Sequence, residues 1–297
     1  MATLDYVLNG LMRRYRERVP DVQAIIDAMI AEQIIGSAEE IENDHIAFRT
    51  MGVPQLGIQS LEKIFLHYGY QKKDYYYFPE KKLDAYWYAP PKQVYPRIFI
   101  SQLRVQDLSP AAQQIITSYT SEVKTDPVDA LALDDGKAVD EFLHSGLWRT
   151  PTVEDYETLA AESEYAAWVI YNRYYLNHFT VSVHNLKEGY NTIAAFNAFL
   201  LKHGFVLNNA GGVIKQSPDG GLLQSSTVAR MIEAEFAGGA KRSIAGSYVE
   251  FAERRVLPGF QHLPKDAIHR EHRREGFEAG NADKIFESTY SGQTARS

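Results

Sequence analysis

The chain has 297 residues, of which 45% are hydrophobic and 23% charged, a length and composition typical of one large globular domain or two modest ones. Its formal net charge is −7, so its overall field repels nucleic acid and offers no basic surface to a membrane. It contains no cysteine, which excludes disulfides, thiolate metal sites and cysteine nucleophiles.

The chain begins with a helical segment. Residues 1–36 predict two helices that separate at Pro20, with Asp21 as a plausible N-cap. The first twenty residues lack the basic, apolar and small-residue order of a signal peptide. No apolar run approaches the roughly 20 residues that span a bilayer. We therefore expect a cytoplasmic protein that does not cross a membrane.

A first module follows over residues 40–108. NDHIAFRT predicts a strand, and LGIQSLEKIFLHYGY predicts an amphipathic helix that ends at Gly69. Three further strands are predicted, separated by proline-containing turns: KKDYYYFP, KLDAYWYA and RIFISQLRV. Residues 109–175 are rich in helical patterns, and we interpret them as a helical insert.

The same order returns over residues 176–258. NHFTVSVH predicts a strand, and NTIAAFNAFLLKHGF predicts a helix that ends at Gly204. The later strands of this module are separated by glycine-rich turns: VLNNAGGVIKQ, GGLLQSSTVA and SIAGSYVEFAERR. The remaining residues, 259–297, are interpreted as a polar C-terminal tail in which IHREHRREGFE forms a solvated helix.

These elements predict a single catalytic domain of the α+β class. Two βαβββ modules would pair into a cupped, barrel-like sheet around a pocket, with helices on the outer face. The N-terminal helices and the helical insert would be added to this core. The alternative is that the βαβββ order recurs by chance.

Three predicted strands carry polar side chains on one face. Because side chains alternate along a strand, His45 and Arg49 share one face of NDHIAFRT, and apolar residues occupy the other. The same alternation gives polar faces containing His178 and Glu250 to two strands of the second module. Two imidazoles and one carboxylate are the ligand set of non-haem Fe(II) oxygenases.

Other interpretations of these residues stay open at this point. His178 and His184 are about 20 Å apart along a regular strand, so they cannot bind one metal ion, and His178 matches the position of His45. Alternatively, both strand-opening histidines are hydrogen-bonded core residues and Glu250 pairs with an arginine. Gln224 is interpreted as structural or solvated, and the arginines of ERR, 253–255, as surface ion pairs.

The sequence resembles the 2-oxoadipate dioxygenase/decarboxylase family, also called 2-hydroxyglutarate synthase. The resemblance extends from about residue 40 to 260 and rests on DHIAFRT, NHFT, GLLQSSTVA and SYVEFAERR. It implies a fold related to the vicinal-oxygen-chelate superfamily. Longer members of the family carry extra sequence and further substrate contacts near the C-terminus, which cannot be placed here.

The resemblance also implies specific roles. His45, His178 and Glu250 would bind Fe(II), with His45 also at the substrate, and Arg49 would be the catalytic residue that contacts a substrate carboxylate. The partners would be a 2-oxo diacid and O₂, and lysine breakdown would be the context. Two alternatives remain: a Zn²⁺- or Ni²⁺-dependent lyase or isomerase of the glyoxalase kind, and a non-catalytic module that binds a dicarboxylate.

Overall fold

Helices and strands alternate in two similar series, as the sequence predicts. The computed structural model describes residues 3–296. Its helices are α1 Thr3–Arg18, α2 Pro20–Ala31, α3 Gly57–His67, α4 Pro110–Thr120, α5 Gly136–Leu143, α6 Val153–Glu162, α7 Glu164–Asn172, α8 Ile193–Lys202, α9 Ala279–Ile285 and α10 Ser291–Thr294. Its strands are β1 Asn43–Met51, β2 Gln71–Phe78, β3 Leu83–Ala89, β4 Arg97–Leu103, β5 His178–Ser182, β6 Lys215–Gln216, β7 Leu222–Ser226, β8 Met231–Glu235, β9 Lys241–Ala245 and β10 Tyr248–Arg254.

The helix of each module ends in the same way. After α3, Gly69 adopts a φ of +87° and donates its amide to the carbonyl of Leu66, while Tyr70 donates to the carbonyl of Phe65. After α8, Gly204 has a φ of +80°, and the chain closes with an equivalent pair of bonds. Glycine takes this left-handed conformation without strain, so the sequence correctly locates both helix ends.

One sheet joins the two modules. Its order is β2-β3-β4-β1-β5-β10-β7-β6, so each module contributes four strands in a matching sequence. The first strand of each module pairs in parallel with the last, β1 with β4 and β5 with β10, and β1 and β5 meet antiparallel at the centre. The predicted α+β class and paired βαβββ modules are therefore confirmed.

The second module departs from the sequence prediction at its later strands. The predicted strand SIAGSYVEFAERR is divided between β9 and β10, with Gly246 between them. Gly246 donates its amide to the carbonyl of Arg230, and a β-carbon there would lie 3.2 Å from that oxygen. As a result β9 pairs with β8 in a separate two-stranded sheet, and only β10 enters the main sheet.

The C-terminal segment closes the open side of the curled sheet. Helix α9 contacts β2 at one edge and β6 and β7 at the other. Phe277, Ile285 and Phe286 of this segment are buried. The predicted solvated helix is therefore wrong: residues 270–272 form a single 3₁₀ turn, and the chain after them packs onto the sheet. Among residues 3–296, no helix combines the length and apolar character needed to cross a membrane.

Candidate active site

Three neighbouring central strands bring the predicted ligands together. His45 lies on β1, His178 on β5 and Glu250 on β10, and all three side chains are buried. Nε2 of His178 lies 3.3 Å from Nε2 of His45 and 3.0 Å from a carboxylate oxygen of Glu250, and Nε2 of His45 lies 3.5 Å from the other oxygen. One potential ligand atom from each residue lies within 4.8 Å of the others.

The hydrogen bonds of the two imidazoles orient them as metal ligands. Nδ1 of His45 lies 2.8 Å from a carboxylate oxygen of Asp44, which can only accept, so Nδ1 carries a proton. Nδ1 of His178 lies 3.0 Å from the side-chain oxygen of Asn177. In the neutral imidazoles, both Nε2 lone pairs then face each other and Glu250. The hydroxyl of Thr180 lies 3.1 Å from Nε2 of His45 and can donate to it, but the two Nε2 atoms and the carboxylate still form three converging acceptors, a set that fits a divalent metal ion.

The pKa shifts of the three groups reflect their mutual contact. Burial would raise the pKa of Glu250, but the adjacent His45 and His178 outweigh it and hold that pKa well below its usual range. Burial would lower the pKa of His45, but Glu250 and Asp44 raise it overall. Burial dominates for His178 and lowers its pKa. Glu250 thus stays ionised and needs a positive charge beside it, either a proton or a metal ion.

Asp44 is itself held by two buried arginines. Its carboxylate accepts from Nε and a terminal nitrogen of Arg254, at 2.6 and 3.0 Å, and from Arg97 at 3.2 Å. Burial would raise the pKa of Asp44, but the two guanidinium groups hold it well below its usual range. The interpretation of Arg254 as a surface residue is therefore wrong. Its alternation with Glu250 along β10, which places both on the inner face, was the signal in the sequence.

Arg49 points into the same interior as the triad. Its terminal nitrogens donate to the hydroxyl of Thr289 at 2.9 Å and to the carbonyl of Phe286 at 3.0 Å. The guanidinium carbon lies 5.2 Å from the ring centroids of both Tyr165 and Trp168. Within residues 3–296 no carboxylate forms an ion pair with this buried guanidinium, whose charge is met only by a carbonyl, a hydroxyl and aromatic rings.

The triad and Arg49 line one cavity. The C-terminal segment supplies part of its wall through Phe277, Ala282, Ile285 and Phe286. Three buried polar atoms of cavity-lining residues have no hydrogen-bond partner in the described part of the chain. They are Nε of Arg49, the hydroxyl of Tyr248 and Nδ2 of Asn177. A polar ligand can satisfy them.

Sequence reasoning missed part of this arrangement. Gln224 donates to Glu250 at 2.6 Å and accepts from Asn281 of α9 at 2.9 Å, so it links the carboxylate to the C-terminal segment. We interpreted Gln224 from the sequence as structural or solvated, whereas it lines the cavity, and nothing in the sequence indicated its partner. His184, the competing histidine, lies in a 3₁₀ turn after β5 and accepts from the amide of Arg254 at 3.2 Å. It does not belong to the ligand cluster.

Comparisons with known proteins point to one family. The family model for 2-oxoadipate dioxygenase/decarboxylase matches residues 7–263. The chain is 43% identical over 304 residues to the chloroplastic 2-oxoadipate dioxygenase/decarboxylase of Arabidopsis thaliana, covering 98% of this chain and 78% of that protein. The crystal structure of the Oryza sativa hydroxyglutarate synthase in complex with 2-oxoadipate superimposes with a TM-score of 0.89 at 42% identity, covering 98% of this chain and 93% of that one.

A more distant structure shares the fold. A putative glyoxalase superfamily protein from Ralstonia eutropha JMP134 matches with a TM-score of 0.69 at 21% identity, covering 91% of this chain and 84% of that one. This likeness is one of fold alone. Since the family model covers most of the sequence and the relatives match nearly all of it, the chain belongs to the 2-oxoadipate dioxygenase/decarboxylase family.

Proposed function

We propose that this protein is an Fe(II)-dependent dioxygenase that converts 2-oxoadipate, or a similar 2-oxo diacid, to 2-hydroxyglutarate and CO₂. One observation carries the proposal: two imidazoles and a carboxylate with converging ligand atoms share a cavity with an arginine that pairs with no carboxylate of residues 3–296. A 2-oxo diacid complements both features, because it has a chelating keto acid at one end and a carboxylate at the other. The names of the relatives support the same substrate.

The proposed reaction balances without a second organic substrate. One oxygen atom of O₂ enters the carboxylate that replaces the keto acid, with loss of C1 as CO₂, and the other becomes the hydroxyl of 2-hydroxyglutarate. His45, His178 and Glu250 would hold the iron. When bound there, Fe(II) would supply chelation of the 2-oxo acid and activation of O₂.

The chain's own residues bind, orient and shield the substrate. Arg49 presents a planar fork of donors to the distal carboxylate, and that carboxylate would supply the negative charge that the buried guanidinium lacks. Phe277 and Phe286 form apolar walls that exclude water, which protects a reactive intermediate from side reactions. Asp44 and Asn177 hold the imidazoles by their Nδ1 atoms, so the Nε2 atoms stay aimed at the metal position.

Oxygen uptake across a panel of 2-oxo acids tests the proposal. Anaerobic protein loaded with Fe(II) should give a weak visible charge-transfer band when 2-oxoadipate is added. After exposure to air, it should consume one O₂ for each CO₂ released and each 2-hydroxyglutarate formed. Glu250→Gln keeps the side-chain volume but removes the charge, so it should lose the metal and the activity. His67→Gln, at a histidine on α3 outside the cavity, is the matched control.

Other outcomes would identify the rival functions. Turnover with Zn²⁺ or Ni²⁺ and no oxygen demand would overturn the proposal in favour of a glyoxalase-like lyase or isomerase. Tight diacid binding that persists in a chelator, without oxygen uptake, would favour a non-catalytic binding module. Full activity in Glu250→Gln would remove that residue from the metal site.

A further inference from the structure

Tyr248 is a buried side chain of the cavity to which neither the family resemblance nor the proposed chemistry assigns a role. It stands directly across from His178 in the pairing of β5 and β10, two residues before Glu250 on the same strand. Its ring lies against the His178 imidazole, with centroids 4.8 Å apart and planes tilted by 31°. The side chain is fully buried, so its hydroxyl cannot be hydrogen-bonded to bulk water.

The hydroxyl of Tyr248 and the guanidinium of Arg49 belong to side chains that line the same cavity. A tyrosine hydroxyl is protonated at neutral pH and is available as a donor. Yet the hydroxyl of Tyr248 and Nε of Arg49 both lack a hydrogen-bond partner in residues 3–296. Two unpartnered buried donors that line one cavity can both be satisfied by an oxyanion.

We propose that Tyr248 donates its hydroxyl to the distal carboxylate of the substrate, together with Nε of Arg49, and so sets the preference for diacids over monoacids. The inference rests on the proposed function for the identity of the substrate. Its physical basis is independent of the metal, because neither unpaired donor belongs to a proposed metal ligand. A carboxylate has enough lone pairs to accept from both groups at once.

Tyr248→Phe tests the proposal because it removes only the hydroxyl. With 2-oxoadipate we expect KM to rise about tenfold to a hundredfold, the usual effect of losing a hydrogen bond to a charged group. With 2-oxohexanoate, which has the same chain length but no distal carboxylate, kcat/KM should change little. The charge-transfer band of the Fe(II) protein with a 2-oxo acid should remain, which would show that the metal site is intact.

Tyr174→Phe is the matched control. It removes another buried hydroxyl without a hydrogen-bond partner, from a tyrosine that does not line the cavity, and it should leave the selectivity between the two substrates unchanged. The inference is wrong if Tyr248→Phe lowers kcat/KM by the same factor for both substrates, or otherwise leaves the ratio of kcat/KM between 2-oxoadipate and 2-oxohexanoate as in the wild type.

A binding measurement separates this inference from the proposed function. Adipate has two carboxylates but no keto group, and its binding to metal-free protein can be measured by calorimetry. Weaker adipate binding in Tyr248→Phe, together with no oxygen uptake by the wild type, would retain the diacid site and overturn the oxygenase. Normal oxygen uptake by the wild type, with unchanged selectivity and unchanged adipate binding in Tyr248→Phe, would retain the oxygenase and overturn the inference about Tyr248.

Discussion

Two buried charged residues of the site, Asp44 and Arg49, differ in whether the described chain supplies them with a counter-ion. Asp44 is surrounded by Arg97 and Arg254, and its other contact is the proton on Nδ1 of His45. Arg97 in turn forms an ion pair with Glu275, which reaches the site from the C-terminal segment. Arg49 has no such partner in the described chain. A buried ion pair has to be kept intact, whereas an unpaired buried ion is free to bind a ligand of opposite charge.

Asp44→Asn tests whether Asp44 tunes the metal ligand. The variant keeps the shape of the side chain but removes the negative charge that fixes the proton on His45. We expect affinity for Fe(II) to fall about 10- to 100-fold, the typical effect of changing a group that orients a metal ligand. Anaerobic titration with Fe(II) measures it. Asp107→Asn, at a partly exposed residue paired with Arg104, is the control and should bind metal normally.

The same substitution removes the counter-ion of two buried arginines, so it should also lower the free energy of unfolding by about 3–5 kcal/mol. If Asp44→Asn is too unstable to titrate, Asn177→Ala examines the equivalent bond to His178 without removing a charge. Unchanged metal affinity in both variants would contradict this role of the Nδ1 contacts.

Arg49→Met and Arg49→Lys separate charge from geometry in diacid binding. Methionine removes the cation, so the dissociation constant for 2-oxoadipate should rise about 100-fold, equivalent to about 3 kcal/mol. Lysine keeps the charge but not the planar fork and should give an intermediate value. Calorimetry of the anaerobic Fe(II) protein measures both. Arg230→Met, at an arginine with a side chain 58% exposed, should bind like the wild type, and equal binding by all four proteins would refute the role of Arg49.

At the scale of elements, the C-terminal segment is the part that the sequence did not predict. The stretch IHREHRREGFE, residues 268–278, suggested a solvated helix, whereas apolar side chains that cover the site lie at its end and in the short elements that follow, among them the seven-residue α9. Elements this short show no hydrophobic periodicity, so the usual signal is absent. By contrast, β1 and β5 are adjacent strands with clear alternation, and their inward histidines were predicted from that pattern.

Lys215 on β6 helps to attach this covering segment. Its ammonium donates to the carbonyl of Asn208 at 2.7 Å, and Asn208 donates to the carbonyl of Lys284 and the hydroxyl of Ser288. Burial lowers the pKa of Lys215 to about 8. The ammonium of Lys215 is held by carbonyl oxygens. Because burial lowers its pKa, Lys215 releases its proton at a lower pH in the folded state than in the unfolded chain.

This shift predicts a pH dependence of stability with a defined sign. Below pH 8 Lys215 is charged in both states, and burial of the charge opposes folding. Between about pH 8 and 10.5 the unfolded state binds more protons, so the contribution of Lys215 to the free energy of unfolding rises with pH. Urea unfolding at pH 7.5 and 10 should show the wild type gaining stability relative to Lys215→Met. Lys265 is exposed, so the difference in stability between the wild type and Lys265→Met should be the same at both pH values. The same difference at both pH values for Lys215→Met would contradict the lowered pKa of Lys215.

At the scale of the whole molecule, the sequence predicted the pairing of two modules but not the contacts that hold the two modules together. The order of elements was enough to predict the sheet, because each module repeats a strand, a glycine-terminated helix and further strands. The division at Gly246 and the contacts of Gln224 and Arg254 depend on residues that are distant in the chain. Local pattern does not contain that information, since burial of a polar residue is stable only with a partner that the fold supplies.

Metal binding should stabilise both modules at once. His45 and Asp44 lie on the first module, and their partners Glu250 and Arg254 lie on the second, so neither can unfold without breaking buried charged contacts of the other. Anaerobic Fe(II) at about 100 times its dissociation constant should raise the free energy of unfolding by about 2.7 kcal/mol. Tryptophan fluorescence reports on β3 and the helical insert, where Trp87, Trp148 and Trp168 lie, and amide exchange in β10 reports on the second module. Fe(II) should raise the free energy of unfolding reported by both probes together, and it should raise neither value in Glu250→Gln. A stabilisation seen by only one probe would show that the modules unfold separately.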